Sequence, residues 1–206
     1  MLKKIIRTGL LILFSFCSLW VKAAEPRYQT LMPAQPTHNP DKVEVIEFFS
    51  YGCPHCYSFE PLLEAWVKKL PANVEFIRQP VLFQTNWDQY AKAYFVAEVL
   101  GVVDKIHADF FDALHVKNQK LASEEELTKF FADHGVKEAD FRDAYSSFLV
   151  DTKVRQAPVM LSRYGVNGVP TLIVNGKYKI TSSLAGSHEG MLEVADQLIK
   201  QESSVK

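Results

Sequence analysis

Val43-Glu44-Val45-Ile46-Glu47-Phe48-Phe49-Ser50-Tyr51-Gly52-Cys53-Pro54-His55-Cys56-Tyr57 is the stretch on which the fold turns. Residues 43–49 have the β-branched and aromatic content of a buried strand, with Glu47 as the odd member. Ser50, Tyr51 and Gly52 make a turn. From Cys53 to Leu70 apolar side chains recur at helical spacing, at Phe59, Leu62, Leu63, Trp66, Val67 and Leu70. Pro54 suits the first turn of that helix, where a missing N–H is no loss, and Pro61 lies inside it and should kink it. Val74 to Arg78 reads as a second strand, so the sequence predicts a βαβ unit with a parallel pair.

Working outward, residues 24–42 are polar and proline-rich (Pro26, Pro33, Pro36, Pro40) and read as an extended lead-in. From Trp87 to about Tyr164 the pattern is a nearly continuous series of helices. Ser123-Glu124-Glu125-Glu126 supplies a capping-box start, and Gly101 and Gly135 look like stops. Thr171–Val174 and Lys177–Ile180 then flank Asn175-Gly176, the strongest short hairpin signal. Ser187 can cap a last helix with an apolar face at Met191, Leu192, Val194, Ala195, Leu198 and Ile199. The order is βαβ, helical block, ββα, an α/β protein with a helical insertion at about 88–164. No internal repeat or inter-domain linker is visible.

Residues 1–23 have the layout of a secretory signal: basic Lys3, Lys4 and Arg7, an apolar stretch from Leu10 to Val21, then Lys22-Ala23-Ala24. The apolar stretch is about a dozen residues, whereas a membrane span needs roughly 20, so removal after Ala23 is expected rather than anchoring. Lipidation at Cys17 is disfavoured because the bulky Phe16 precedes it. Cleavage takes four of the 23 Lys and Arg and none of the 24 Asp and Glu, leaving 19 bases against 24 acids and a formal charge of −5. With no basic block, nucleic acid is not an expected partner.

Cleavage would also leave only Cys53 and Cys56. A bridge across two residues closes almost no loop and so adds little stability, which argues for chemistry rather than stapling. A zinc site usually draws four ligands and a second Cys or His pair is missing, while His38, His107, His115, His134 and His188 are scattered singly and read as surface or satisfied histidines; no metal is expected. Cys53 begins the helix, where unpaired N–H groups and the helix dipole favour its thiolate, and His55 can add a donor or a positive charge. Cys53 is therefore the candidate nucleophile and Cys56 the resolving thiol. A stabilised thiolate is a good leaving group, which makes the disulfide oxidising and points to a disulfide donor with no cofactor beyond the Cys53–Cys56 pair.

Glu47 stands six residues before Cys53. Taken alone, it is more often an outward-facing strand residue; the functional reading is a buried carboxylate that exchanges a proton with Cys56, with Arg78 on the neighbouring strand as its ion-pair partner. Val169-Pro170 either simply starts the strand that follows or forms a cis peptide bond that leaves the Val169 backbone free for a peptide; the residues alone leave both open.

Phe48 to Tyr57, together with Gly168-Val169-Pro170 and Val174-Asn175-Gly176-Lys177-Tyr178, resembles the DsbA family of periplasmic disulfide oxidoreductases over essentially the whole mature chain. The resemblance implies a thioredoxin fold interrupted by a helical insertion, Cys53 as the reacting sulfur tuned by His55, Pro170 as a cis-proline beside it and Glu47 as the buried acid. The family's basic partner for that acid is commonly lysine; Arg78 here cannot release its proton. The implied partners are unfolded exported proteins with free cysteines and a DsbB-type, quinone-linked inner-membrane reoxidant; the implied state is monomeric. Two rivals are a periplasmic isomerase or reductase on the same fold, for which the segment before Val43 is too short to hold a dimerisation domain, and a non-enzymatic chaperone, which would not need His55 and a first-turn cysteine together.

Overall fold

The computed structural model describes residues 26–84 and 87–204. The expected signal segment and Cys17 lie outside them. In chain order the elements are β1 (Gln29–Thr30), β2 (Val43–Phe49), α1 (Pro54–Val67), β3 (Val74–Pro80), α2 (Trp87–Val99), α3 (Val103–His115), α4 (Glu124–Asp133), α5 (Glu138–Tyr145), α6 (Phe148–Tyr164), β4 (Thr171–Val174), β5 (Tyr178–Thr181), α7 (Ser182–Ala185) and α8 (His188–Ser203).

One sheet, ordered β1-β5-β4-β2-β3, carries the molecule. β2 lies parallel to β3 and antiparallel to β4, so it is covered along both edges, and all seven of its residues are buried. The period-two alternation of a strand sends Val43 and Val45 to one face, against Phe59 and Leu63 of α1 and Met191, Val194 and Leu198 of α8. Ile46 and Phe48 go to the other face, into a second core filled by the helical block. The five helices α2 to α6 stand between the βαβ unit and the β4–β5 hairpin, as the order of patterns predicts.

Local signals act as expected. The Ser123 hydroxyl accepts from the Glu126 N–H at 3.2 Å while the Glu126 carboxylate accepts from the Ser123 N–H at 3.1 Å, a complete capping box. Ser187 caps α8 through the Gly190 N–H. Asn175 and Gly176 have φ of 51° and 66°, the two positive values a tight hairpin requires. Gly176 is further constrained, because a Cβ there would lie 2.1 Å from the Gln35 carbonyl oxygen. Pro61 stays inside α1, which ends at Val67 rather than reaching Leu70.

The lead-in differs from expectation. Gln29 and Thr30 pair with β5, and the Leu31 and Gln35 N–H groups donate to the Lys177 and Gly176 carbonyls at 2.7 and 2.8 Å. This edge strand has no apolar alternation to announce it. Its backbone hydrogen bonds to β5 hold it, and they depend on where β5 lies.

Candidate active site

Cys53 is the residue before α1, in an extended conformation (φ −97°, ψ 115°) that aims its side chain across the first turn. Its N–H donates to the Ser50 carbonyl at 3.1 Å and its carbonyl accepts from the Tyr57 N–H at 3.0 Å, so the turn before the helix and the first helical turn are hydrogen-bonded through it. Cys56 follows one turn later and is 1 % exposed, against 6 % for Cys53. Both are free thiols. Pro54 and His55 are exposed at the helix start.

The two sulfurs have opposite acidities. The Cys53 thiol is pulled down to about 6, first by a hydrogen bond from the Cys56 thiol, then, against the cost of burial, by the Cys56 and His55 N–H groups and by the charge of His55. The Cys56 thiol is pushed well above its ordinary value by burial, by its bond to Cys53 and by the nearby negative charges of Cys53 and Glu47. The largest lowering influence on Cys53 is therefore its neighbour's S–H, with the His55 N–H and charge adding to it.

Glu47 is wholly buried, which removes the outward-facing alternative. It shares strand parity with Val43 and Val45 and so lies under α1. The parallel register sets it opposite Arg78, whose Nε is 3.3 Å from Glu47 Oε2. The same guanidinium bonds Glu60 Oε1 at 2.7 Å and reaches Glu64 Oε2 at 3.4 Å. Burial and the negative charge of Glu60 push the Glu47 carboxyl up to about 8, with Arg78 opposing. Arg78 stays a cation: burial disfavours its charge, and the Glu47 and Glu60 carboxylates outweigh that.

The Val169-Pro170 peptide bond is cis, as is Met32-Pro33, which nothing in the sequence singles out. Pro170 is buried, Val169 partly exposed, and the Val169 carbonyl oxygen lies 3.6 Å from Cys53 Sγ. Residues 116 positions apart thus meet at the Cys53 sulfur. Among the described residues no group of three or more His, Cys, Asp or Glu side chains is assembled that could hold a metal ion.

A family model described as a DSBA-like thioredoxin domain matches residues 44–190. The chain belongs to the DsbA family. It is 40 % identical over 206 residues to the thiol:disulfide interchange protein DsbA of Pseudomonas syringae pv. tomato, covering 98 % of this chain and 96 % of that one. With the DsbA of Azotobacter vinelandii it shares 43 % identity over 180 residues, 87 % of this chain and 84 % of that one. The crystal structure of Pseudomonas aeruginosa DsbA superposes with a TM-score of 0.84 at 40 % identity, covering 87 % of this chain and 94 % of that one. The DsbA of Xylella fastidiosa gives 0.79 at 32 % identity, with 86 % and 95 % covered. This member of the DsbA family is accordingly a thiol:disulfide oxidoreductase that works with a pair of cysteines rather than an external cofactor, on substrate proteins that contain cysteines.

Two histidines of the helical insertion stand beside the active-site turn. His107 and His115, expected to be surface or satisfied histidines, both lie on α3 and face the active-site turn. The His107 Nδ1 lies 2.8 Å from the Tyr51 hydroxyl, and the His115 Nε2 is 2.7 Å from the Tyr51 carbonyl oxygen. Their spacing of eight residues, two helical turns, is the signal that could have found them.

Proposed function

We propose that this protein donates its Cys53–Cys56 disulfide to newly exported proteins. A substrate thiolate attacks Cys53 Sγ; the Cys53–Cys56 bond breaks, a mixed disulfide forms, and the electron pair leaves on Cys56, which takes up a proton. A second substrate thiolate attacks the substrate sulfur of the mixed disulfide, closing the substrate disulfide and expelling Cys53 as a thiolate. Two electrons pass from the substrate dithiol to the cysteine pair; one of the two thiol protons ends on Cys56 and the other in solvent.

The observation that carries this reading is the lowered pKa of the Cys53 thiol. At about 6 it leaves roughly nine in ten molecules as thiolate at pH 7. A leaving group stabilised in this direction favours the reduced protein and moves the disulfide towards the oxidising side. Glu47, with its raised pKa and its position near Cys56, is the group we assign to supply and recover the Cys56 proton. Arg78 holds charge balance and does not relay. His55 tunes Cys53 from the exposed helix start, and the Val169 backbone beside cis-Pro170 receives the substrate chain.

In this reading residues 1–23 direct export to the periplasm and are removed, the mature protein is a monomer of one thioredoxin-like domain with its helical insertion, and a DsbB-type quinone-linked membrane protein restores the disulfide. Among the described residues no helix is long and apolar enough to cross a membrane. The test is equilibration of the mature protein in glutathione buffers of graded ratio, followed by thiol trapping. A Cys53–Cys56 pair that stays reduced except at strongly oxidising ratios supports the donor. A strongly reducing potential overturns it in favour of a reductase.

A further inference from the structure

Tyr51, two residues before Cys53, is 1 % exposed and is engaged at both ends by one helix. Its hydroxyl meets His107 Nδ1 at 2.8 Å, and its carbonyl oxygen meets His115 Nε2 at 2.7 Å. Each imidazole also touches α1 beyond the cysteines. His115 stacks on the ring of Tyr57, the residue after Cys56, with centroids 4.9 Å apart and planes 11° from parallel. The Tyr57 hydroxyl donates to Asp112, one turn back on α3, at 2.9 Å. The His107 Nε2 lies 3.3 Å from Glu60 Oε2, on the carboxylate that also pairs with Arg78. The two histidines therefore join the residue entering the Cys-Pro-His-Cys motif to residues leaving it, and both stand in the helical insertion rather than in the thioredoxin half.

We propose that His107 and His115 are positioning residues of the exchange reaction, acting through Tyr51 to hold the turn from which Cys53 projects. The physical argument lies in the Tyr51 carbonyl. A neutral or protonated imidazole can donate from Nε2 to it, which points this dipole at α3. Without the donor, a carbonyl two residues from a thiolate is released to reorient, with its negative end available to oppose the sulfur's charge, while the turn bonds from Cys53 N–H to Ser50 and from Gly52 N–H to the Ser50 hydroxyl, both 3.1 Å, carry the geometry alone. Burial keeps His107 towards the neutral form, and with its proton on Nε2, facing the Glu60 carboxylate, its Nδ1 accepts from the Tyr51 hydroxyl. The helical insertion is on this account part of the redox centre's machinery. The proposal rests on Cys53 as the reacting sulfur but not on the direction of transfer.

Two full-length mature variants test it, His115→Gln, which keeps an N–H donor, and His115→Leu, which keeps bulk without one. The readout is thiolate absorbance at 240 nm against pH in the reduced protein, with circular dichroism to establish folding. His115→Leu is expected to lower the ratio of Cys53 thiolate to thiol at a given pH about fivefold, the worth of one hydrogen bond, with His115→Gln within about twofold of the parent. Folded His115→Leu titrating as the parent, or His115→Gln displaced as far as His115→Leu, overturns the proposal. Should His115→Leu not fold, His115→Met takes its place, again with bulk but no donor for the Tyr51 carbonyl, and the same displacement is required of it. The glutathione equilibrium of the parent fails or succeeds independently of these outcomes.

Discussion

Replacing Glu47 by Gln should move the stability difference in the variant's favour by an amount that grows with pH. Burial and Glu60 raise the Glu47 carboxyl from an ordinary 4.5 to about 8. A carboxyl whose folded-state pKa lies above its unfolded value binds its proton more tightly when folded. Its contribution to stability is fully present below about 4.5 and is lost as pH climbs through 8. At about 1.4 kcal/mol per unit, and allowing for charge sharing with Arg78, the loss amounts to about 3–5 kcal/mol by pH 9. Glutamine matches the shape of the protonated acid and has nothing to lose, while Arg78 keeps Glu60 and Glu64 as partners. The assay is urea unfolding of parent and variant in the oxidised form, where neither cysteine titrates, at pH 4, 6, 7.5 and 9. The amide adds a constant offset of either sign, so the slope is diagnostic. A difference that is flat from pH 4 to 9, or that moves against the variant as pH rises, would refute the burial argument for Glu47.

Cys56→Ala removes the largest influence holding the Cys53 thiol near 6 and should raise it by at least about one unit. His55→Ala, which spares the His55 backbone N–H, should raise it less; the pH dependence of iodoacetamide alkylation ranks the two, and an equal or larger effect of His55→Ala would contradict the geometry. Gly52→Ala should cost about 1–3 kcal/mol in unfolding free energy, because its Cβ would lie 2.5 Å from Trp87 Nε1 and 3.1 Å from Tyr90 Cε2, two aromatic rings anchored in the helical block.

The chain's own pattern determines most of the fold. The apolar run of β2, the helical spacing after Cys53, the Ser123 capping box and the Asn175-Gly176 turn are local signals, each set by backbone sterics or by short-range hydrogen bonds, and each survives into the structure. The cysteine pair is legible for the same reason, since two thiols three residues apart at a helix start must meet whatever surrounds them. What the sequence leaves open is whatever depends on a partner far along the chain. Glu47 reads more readily as an outward-facing residue until β3 and β4 close over both edges of β2, leaving its carboxyl with Arg78 and Glu60 and a pKa that no local rule sets. His107 and His115 look like ordinary histidines until α3 is laid against Tyr51 and Tyr57. β1 exists only because β5 offers it an edge, and the cis Val169-Pro170 bond reaches Cys53 only across 116 residues. Periodicity assigns a residue to an element and a face; burial and opposing charge, which set acidity, belong to the assembled molecule.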